Sequence, residues 1–474
     1  LNSRMLFLKD IYKNQYKDNN ALILENDELI SYNELIKKIE DFSKNIKKRS
    51  LIFLLCKNNF ESIVGYLGSI KSNCVISLID EKINDDSFIK LVDNYHPDFI
   101  FFNKKRLNNL DNYSTSYTFK SFELLEAKKK TEKKLNDNLA LLISTSGSTG
   151  TSKLVRQSAD NLNDNINSIT QYLNISQKDI SITTLPMSYV YGLSIINTHL
   201  NQGASIVLNN KSVIEKEFWH KLEKNKVTNF GGVPYTYSIL EKIKLKNFNL
   251  SSLKYTTQAG GKINKDTAHN ILKEYDRLGI KLYLMYGAAE ATARMSYLPW
   301  ENIEKTQSIG KAIPGGEFFL EDSDGKLIRE INAHGELIYK GNNVCMGYAE
   351  NIQDLKRGDE NKGILKTGDV AYKDKDNFYY LVGRKDRYIK IYGMRINLQE
   401  LEDIILNFGF KNICMQEKEN MINVFIKDNF ELEKLKKHIT SVTKIHPSAF
   451  IFKIVKDFPL NRNYKISYNK ESFK

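Results

Sequence analysis

The sequence predicts an α/β protein with buried, largely parallel sheets. In the first half of this 474-residue chain, and again as far as residue 285, stretches with apolar residues at helical spacing alternate with short apolar runs rich in β-branched residues. Apolar strands that alternate with helices are typical of sheets covered by helices on both faces. The helix and strand pairs are 61–70 with 74–79, 86–92 with 98–102, 217–226 with 227–231, and 268–278 with 281–285.

The pattern changes after residue 287. Short strand-like segments with turns, such as 317–326 and 335–341, predict a small antiparallel barrel or sheet. A compact tail begins beyond residue 383, and we place a domain boundary near residue 385.

One helix in this tail has clear sequence signals. Asn397 is suited to the N-cap, Glu400 stands at the third helical position, and Leu398, Leu401 and Ile405 share one face. The tail is therefore expected to fold as a small α+β unit.

Composition is consistent with an ordinary globular protein of the cytoplasm. Hydrophobic residues make up 41% of the chain, and no apolar run approaches the ~20 residues of a membrane helix, so we expect no membrane insertion. The cysteines lack the spacing of a zinc site or a disulfide framework, which fits a reducing compartment. They are Cys56, Cys74, Cys345 and Cys414.

The chain carries a net charge of +13, from 70 Lys and Arg against 57 Asp and Glu. Its lysines are spread along the sequence rather than gathered in a basic tract, so we expect no nucleic-acid partner, although a salt-dependent titration would expose one. A positive field would help to attract anionic small molecules. The seven histidines form no tight metal-ligand cluster.

Residues 139–153 are the most informative segment. An apolar strand leads into a loop rich in hydroxyls, with Gly147 and Gly150 allowing close backbone approach and Lys153 adding charge, which is suited to binding phosphate. The spacing excludes the nucleotide P-loop, because Ser152 stands where that motif requires its second glycine. A plain polar linker is the alternative. The hydroxyl residues are Ser144, Thr145, Ser146, Ser148 and Thr149.

This loop resembles the Thr-Ser-Gly-Ser-Thr-Gly-x-Pro-Lys signature of the adenylate-forming superfamily, with Ser152 in place of the usual proline. That superfamily comprises acyl-CoA synthetases, luciferases and the adenylation domains of peptide synthetases. Four further segments match the family in order, so the resemblance spans essentially the whole chain. They are 284–295 with Tyr-Gly-Ala-Ala-Glu, 366–369 with Thr-Gly-Asp, 383–396 beginning Gly-Arg-Lys-Asp, and 459–465 ending in lysine.

The resemblance implies the domain organisation. Residues 1–385 would form a large N-terminal AMP-binding domain of two doubly wound αβ subdomains plus a small β-barrel. Residues 386–474 would form a small mobile α+β domain that carries the adenylation lysine, with Asp386 as the hinge between the two.

The resemblance also implies roles for individual residues. Catalysis falls to Lys465 and Thr145, and Glu290 would bind Mg²⁺. ATP or AMP binding falls to Ser144, Thr145, Ser146, Gly147, Ser148, Thr149, Gly150, Lys153, Gly260, Gly261, Tyr286, Gly287, Asp369, Arg384 and Arg395.

The acid pocket is expected around residues 189–191. Val190 stands where relatives that activate amino acids keep an aspartate for the α-amine, and an unpaired buried ammonium would be costly. A plain organic, aryl or fatty acid is therefore favoured over an α-amino acid. The candidate lining residues are Tyr189, Val190, Tyr191, Val233, Tyr235, Ala288 and Met295.

The function implied by the resemblance is that of an ATP-dependent acid–thiol ligase. It would form an acyl-AMP from MgATP and a small carboxylic acid, then transfer the acyl group to coenzyme A or to phosphopantetheine on an acyl carrier protein. Two alternatives stay open. One is a non-catalytic acyl-adenylate sensor, suggested by Ala289 in place of the usual threonine, and the other is an enzyme that loads an amino acid onto a carrier protein.

Overall fold

The computed structural model describes residues 9–106, 110–129, 131–144, 153–243, 245–392, 394–427, 431–459, 468 and 473. No helix within these ranges is both long and apolar enough to cross a membrane.

Ten α-helices lie in the described part of the chain, joined in places by short 3₁₀ turns. They are α1 Tyr32–Ser43, α2 Phe60–Lys71, α3 Asp85–Tyr95, α4 Ala159–Leu173, α5 Val190–Asn201, α6 Lys216–Lys224, α7 Pro234–Leu240, α8 Lys265–Leu278, α9 Leu398–Asn407 and α10 Leu432–Thr443.

The same ranges contain 27 strands. They are β1 Asn20–Ile23, β2 Leu29–Ser31, β3 Leu51–Cys56, β4 Val75–Asp80, β5 Phe99–Asn103, β6 Tyr113–Phe119, β7 Phe122–Ala127, β8 Leu139–Ser144, β9 Leu154–Ser158, β10 Ile180–Ile182, β11 Ser205–Val207, β12 Asn229–Gly232, β13 Tyr255–Gln258, β14 Lys281–Tyr286, β15 Ser296–Tyr297, β16 Lys311–Ala312, β17 Glu317–Glu321, β18 Leu327–Ile328, β19 Gly335–Lys340, β20 Gly347–Ala349, β21 Ile364–Lys373, β22 Tyr379–Arg384, β23 Tyr388–Ile391, β24 Met394–Asn397, β25 Asn412–Lys418, β26 Met421–Ile426 and β27 Phe450–Ile454.

Two large sheets form the body of the fold. The nine-stranded sheet has the order β16-β15-β14-β13-β12-β10-β11-β1-β2, and its strands from β14 to β1 are parallel. The eight-stranded sheet has the order β20-β9-β8-β4-β3-β5-β7-β6, with β8, β4, β3 and β5 parallel. The predicted pair of doubly wound sheets is confirmed.

Strand β3 shows why these strands are continuously apolar. Ile52 and Leu54 point into the main hydrophobic cluster, which also contains residues of α1, α2, α4 and α5. The alternate residues Leu51 and Phe53 point into a second cluster with α3 on the opposite face of the sheet. Because both faces are covered, neither set of side chains can be polar.

Smaller sheets complete the chain. A five-stranded sheet has the order β18-β17-β19-β21-β22, and the tail contains the β23-β24 pair and the three strands β25-β26-β27. Helix α9 begins as predicted, because the Asn397 side chain accepts a hydrogen bond from the Gln399 backbone. Leu401 and Ile405 of this helix are buried in the core of the tail.

The chain packs as two compact units. The first contains residues 1–317 and 340–365, and the second contains residues 318–339 and 366–474. Most of the five-stranded sheet therefore groups with the tail by packing. The boundary predicted between residues 385 and 386 separates parts of the chain that are expected to move against each other. Packing does not test that movement, so the boundary stays a prediction.

Candidate active site

Three parallel strands of the first unit end at the same edge of the nine-stranded sheet. Strands β12, β13 and β14 are hydrogen-bonded neighbours in one direction. Segments 231–235, 258–262 and 286–290 follow directly from their carboxyl ends, which is where ligands bind in parallel α/β sheets. The sequence therefore brings the predicted ATP-binding residues Gly260 and Gly261, part of the predicted acid pocket and the predicted metal ligand to one edge.

The glycines after β13 shape the first of these loops. Gly260 has φ +87°, which favours glycine, and a side chain at Gly261 would lie 3.1 Å from Pro234. The buried Gln258 side chain donates a hydrogen bond of 2.9 Å to the Gly261 carbonyl and so closes the turn.

The segment after β14 is a tight loop that requires Gly287. A Cβ atom at this position would stand 1.7 Å from the Ala293 carbonyl oxygen. The loop is closed by the Met295 amide, which donates to the Tyr286 carbonyl at 2.9 Å. A 3₁₀ turn, Ala289–Ala291, then carries Glu290 at its centre.

Tyr348 connects the predicted metal ligand with the phosphate-loop lysine. Its hydroxyl donates a hydrogen bond of 2.6 Å to Glu290 Oε1. Lys153 Nζ lies 3.8 Å from the centre of the Tyr348 ring, a cation–π distance. No described residue donates to Glu290 Oε2, so one carboxylate oxygen is held in place and the other is available to a hard cation.

Two side chains of β9 fasten this arrangement. Arg156, which is fully buried, donates to the Met346 and Tyr348 carbonyls and pairs with Glu360 at 2.5 Å. Gln157 donates to the Ala289 carbonyl at 2.8 Å. Strand β9 therefore holds both the Tyr348 strand and the Glu290 loop, because one residue of β9 points to each.

The predicted acid-pocket residues are mostly brought together. Tyr189, Val190, Tyr191 and Val233 are buried in the main hydrophobic cluster with Ala289 and Ala293. Tyr191 donates to the Thr257 carbonyl at 2.8 Å, and its burial raises its pKa to about 12.

The other three predicted lining residues differ in exposure. Met295 is fully buried, Ala288 is half-buried, and Tyr235 on α7 is 43% exposed. The side chain of Tyr235 is thus available to solvent, whereas the others lie in or beside the protein interior.

A narrow pocket lies between α4 and α5. Val190 lines it together with the aliphatic side chains of Leu162, Ile166 and Leu193 and with amide and hydroxyl side chains that carry no charge. One acceptor in this lining, Gln157 Oε1, has no hydrogen-bond partner in the described structure. The polar lining residues are Gln157, Asn165, Ser194, Asn197 and Thr292.

The second unit holds the predicted ribose-binding residues. Asp369 on β21 lies opposite Arg384 on β22, and Arg384 Nε is 4.0 Å from its carboxylate. Arg384 Nε also donates to Asp386 at 3.2 Å. Asp386 is exposed in a 3₁₀ turn, Lys385–Arg387, and Arg395 is paired with Lys390 through the β23-β24 backbone.

Several predicted residues lie outside the described residues. Ser144 ends β8 and is exposed, and the described chain resumes at Lys153. The predictions for the phosphate loop and for the adenylation lysine therefore stand as sequence predictions. They concern Thr145, Ser146, Gly147, Ser148, Thr149, Gly150 and Lys465.

Comparison with known proteins decides the family. The family model described as AMP-binding enzyme matches residues 11–349, which is more than half of the chain. The chain belongs to the AMP-binding enzyme family.

Curated members of the AMP-binding family match part of the chain. Luciferin 4-monooxygenase of Luciola mingrelica is 27% identical over 284 residues, covering 58% of this chain and 50% of that protein. The 2-succinylbenzoate–CoA ligase of Bacillus subtilis is 29% identical over 273 residues, covering 57% of this chain and 54% of that protein. The matches thus span about half the length of these relatives.

Solved structures match nearly the whole chain. The O-succinylbenzoate coenzyme A synthetase of Bacillus subtilis in complex with ATP and magnesium ion has a TM-score of 0.79 at 20% identity, covering 98% of both chains. This confirms the predicted fold class.

Sequence reasoning missed Tyr348, Arg156 and Gln157. Arg156 and Gln157 lie only a few residues beyond the phosphate loop, so their position in the sequence was a usable signal. The local sequence contained no such signal for Tyr348, because its contact with Glu290 joins residues 58 positions apart.

Proposed function

We propose that this protein activates a small carboxylic acid with MgATP and transfers the acyl group to a thiol, either of coenzyme A or of phosphopantetheine on a carrier protein. Membership of the AMP-binding family and the CoA-ligase activity named for the Bacillus subtilis relative support this proposal. The single observation that carries it is the series of contacts that joins Lys153 just before β9, Tyr348 on β20 and Glu290 after β14.

The first step joins two anions. A carboxylate oxygen forms a bond to the α-phosphorus of ATP, the bond from that phosphorus to the bridging oxygen breaks, and pyrophosphate leaves. At ~4 Å the two charges repel by about 4 kcal/mol at an effective dielectric of ~20, so cations must offset this repulsion. Lys153, Arg395 and Lys465 are our candidates, with Lys465 reaching both the carboxylate and the α-phosphate and Thr145 donating its hydroxyl.

Glu290 is our candidate for the Mg²⁺ ligand. A carboxylate with one oxygen fixed by Tyr348 and the other accessible suits a cation that shares its coordination with phosphate and water. Bound there, Mg²⁺ would neutralise phosphate charge. The residues of this chain orient the nucleotide, with Tyr286, Gly287, Gly260 and Gly261 along its base and phosphate side.

The ribose side is assigned to the second unit. Asp369, with Arg384 beside it, has a carboxylate that accepts hydrogen bonds from ribose hydroxyls. The side chain of Asp369 is largely shielded, whereas that of Arg384 is exposed, which leaves the guanidinium accessible to a phosphate.

The second step releases AMP. The thiol sulfur forms a bond to the acyl carbon, the bond from that carbon to the AMP oxygen breaks, and the thiol proton goes to solvent. Presenting Lys465 in the first step and admitting a thiol in the second requires movement, so we propose that residues 386–474 rotate against residues 1–385 about Asp386.

The acid is proposed to lack an α-amine. The pocket beside Val190 is lined by aliphatic side chains, neutral amides and hydroxyls, with no carboxylate among its described lining residues. An ammonium group placed there would lose its hydration without gaining a counter-charge. This argues against the amino-acid-loading alternative.

ATP–pyrophosphate exchange against a panel of carboxylic acids tests the proposal. We expect exchange with at least one acid, and thioester formation when coenzyme A or a phosphopantetheinylated carrier protein is added. ATP binding without exchange for any acid would instead favour the acyl-adenylate sensor, which is suggested by Ala289, since its methyl group replaces a threonine hydroxyl.

A further inference from the structure

The guanidinium of Arg294 is buried in the first unit beside the predicted acid pocket. Its side chain is only 2% exposed. Nη1 donates to the Tyr172 hydroxyl at 3.1 Å and to the Met285 sulfur at 3.2 Å. The guanidinium carbon lies 5.0 Å from the centre of the Tyr191 ring, so the charge stands directly behind a residue of the predicted pocket.

This charge has no anionic partner in the described structure. The groups that interact electrostatically with it are the hydroxyl groups of Tyr172, Tyr191 and Tyr255 and the imidazole of His199. Burial raises the pKa of Tyr172, and it raises that of Tyr191 to about 12, so both phenols are neutral near pH 7. A buried guanidinium without a counter-ion is strongly unfavourable.

Two other shielded arginines among the described residues are paired. The fully buried Arg156 binds Glu360 at 2.5 Å, and Arg387, whose side chain is 12% exposed, binds Glu402 at 2.7 Å. Arg294 is therefore an exception within its own protein, and the exception needs a functional explanation.

One edge of the Arg294 guanidinium makes no hydrogen bond with a described residue. Nε is buried without an acceptor, and the bonds to described residues all come from Nη1. Because Nη1 lies on the side of the group nearest Cδ, Nε and Nη2 share the opposite edge. Two parallel donors on one edge match the two oxygens of a carboxylate.

A third donor lies nearby without an acceptor. The buried hydroxyl of Tyr255 interacts electrostatically with Arg294 and has no hydrogen-bond partner in the described structure. Unsatisfied donors together with an uncompensated positive charge are complementary to an oxyanion.

We propose that Arg294 binds a second anionic group of the acid, so that the substrate is a dicarboxylic acid. This inference rests on the proposed function and assigns a substrate class to the same site. A sulfonate or phosphonate at the distal end of the acid would also present anionic oxygens to Arg294. The assay therefore compares acids that carry each of these three groups.

The test compares matched acids in the exchange assay. Each dicarboxylic acid is paired with its monomethyl ester, with the unbranched monocarboxylic acid of equal length, and with the corresponding sulfo and phosphono acids. We expect the wild-type kcat/KM for the best dicarboxylic acid to exceed that of its monoester by about 30-fold or more. A higher kcat/KM for the sulfo or phosphono acid would show that the distal group is a sulfonate or phosphonate rather than a carboxylate. Arg294 would still bind an anionic group.

Two variants test whether Arg294 causes the preference for the dicarboxylic acid over its monoester. Arg294→Met should abolish this preference mainly through a higher KM for the diacid, while the monoester retains its rate. Arg277→Met is the matched control, because this arginine is 66% exposed on α8 and the preference should persist.

Unfolding provides a readout that does not depend on activity. Replacing an unpaired buried charge with an apolar side chain should leave the thermal midpoint unchanged or raise it. A purely structural arginine would make the same variant less stable.

The outcomes separate the two proposals. Exchange that favours monocarboxylic acids, or a diacid preference that survives in Arg294→Met, overturns the role of Arg294 and leaves the proposed function standing. Exchange with no acid of any class overturns both proposals.

Discussion

Tyr348→Phe is a focused perturbation of the site, because it removes one hydroxyl and keeps the ring. The lost bond is the 2.6 Å contact with Glu290 Oε1, and the retained contact is the ring that lies 3.8 Å from Lys153 Nζ. Hydrogen bonds to a charged group contribute about 1.5–3 kcal/mol, which corresponds to roughly 10- to 150-fold in rate. Both side chains are half-buried, so water replaces part of the bond and we expect the lower end, about tenfold.

The assay is pyrophosphate exchange with the best acid, measured across a Mg²⁺ titration. If Tyr348 orients the metal ligand, Tyr348→Phe should raise the Mg²⁺ concentration needed for half-maximal exchange. Tyr348→Leu should cost a further twofold to fivefold, because an exposed cation–π contact contributes about 0.5–1 kcal/mol.

Tyr113→Phe is the control. It removes a hydroxyl that donates at 2.9 Å to the Pro97 carbonyl, far along the chain from the site segments, so the Mg²⁺ dependence should not change. Wild-type exchange and Mg²⁺ dependence in Tyr348→Phe would refute the assigned role of Tyr348.

Three further predictions concern the loop, the core and the tail. Gly287→Ala places a methyl group 1.7 Å from the Ala293 carbonyl and should abolish exchange, whereas Gly358→Ala, with nothing within 4 Å, should match wild type in activity and thermal midpoint. Burial lowers the pKa of His199 from 6.5 to about 4, so the unfolded chain takes up the proton first as the pH falls. The unfolding free energy of wild type should therefore fall by about 2 kcal/mol between pH ~7 and ~5, and that of His199→Gln should not show this loss. Denaturant titrations at the two pH values measure both proteins, and equal losses would contradict the prediction. Asp386→Pro fixes φ at the proposed hinge and should impair one half-reaction far more than the other, and wild-type rates in both would remove Asp386 from that role.

The sequence predicted the edge of the sheet on which the site is built. Segments such as 258–262 and 286–290 follow apolar strands directly, and the geometry of parallel sheets brings such strand ends together. Local signals also located α9, since Asn397 caps it and its apolar residues recur at helical spacing.

The contacts between distant segments could not be predicted in this way. Tyr348 reaches Glu290 because β20 pairs with β9, and no local pattern specifies that pairing. Arg294 lies in a chain with 70 basic residues, and its burial follows from the packing of α4, α5 and β14 rather than from its neighbours in sequence. Tertiary packing therefore supplied the information that the motifs lacked.

Transfer of labelled oxygen tests the formation of an acyl-adenylate most directly. The acid is labelled with ¹⁸O in its reacting carboxylate and incubated with MgATP and the thiol acceptor, and the nucleotide product is examined by mass spectrometry. Our account predicts AMP that carries one ¹⁸O in its phosphate, because the bond from the acyl carbon to that oxygen breaks in the second step. Unlabelled AMP, or ADP with the label in inorganic phosphate, would contradict it.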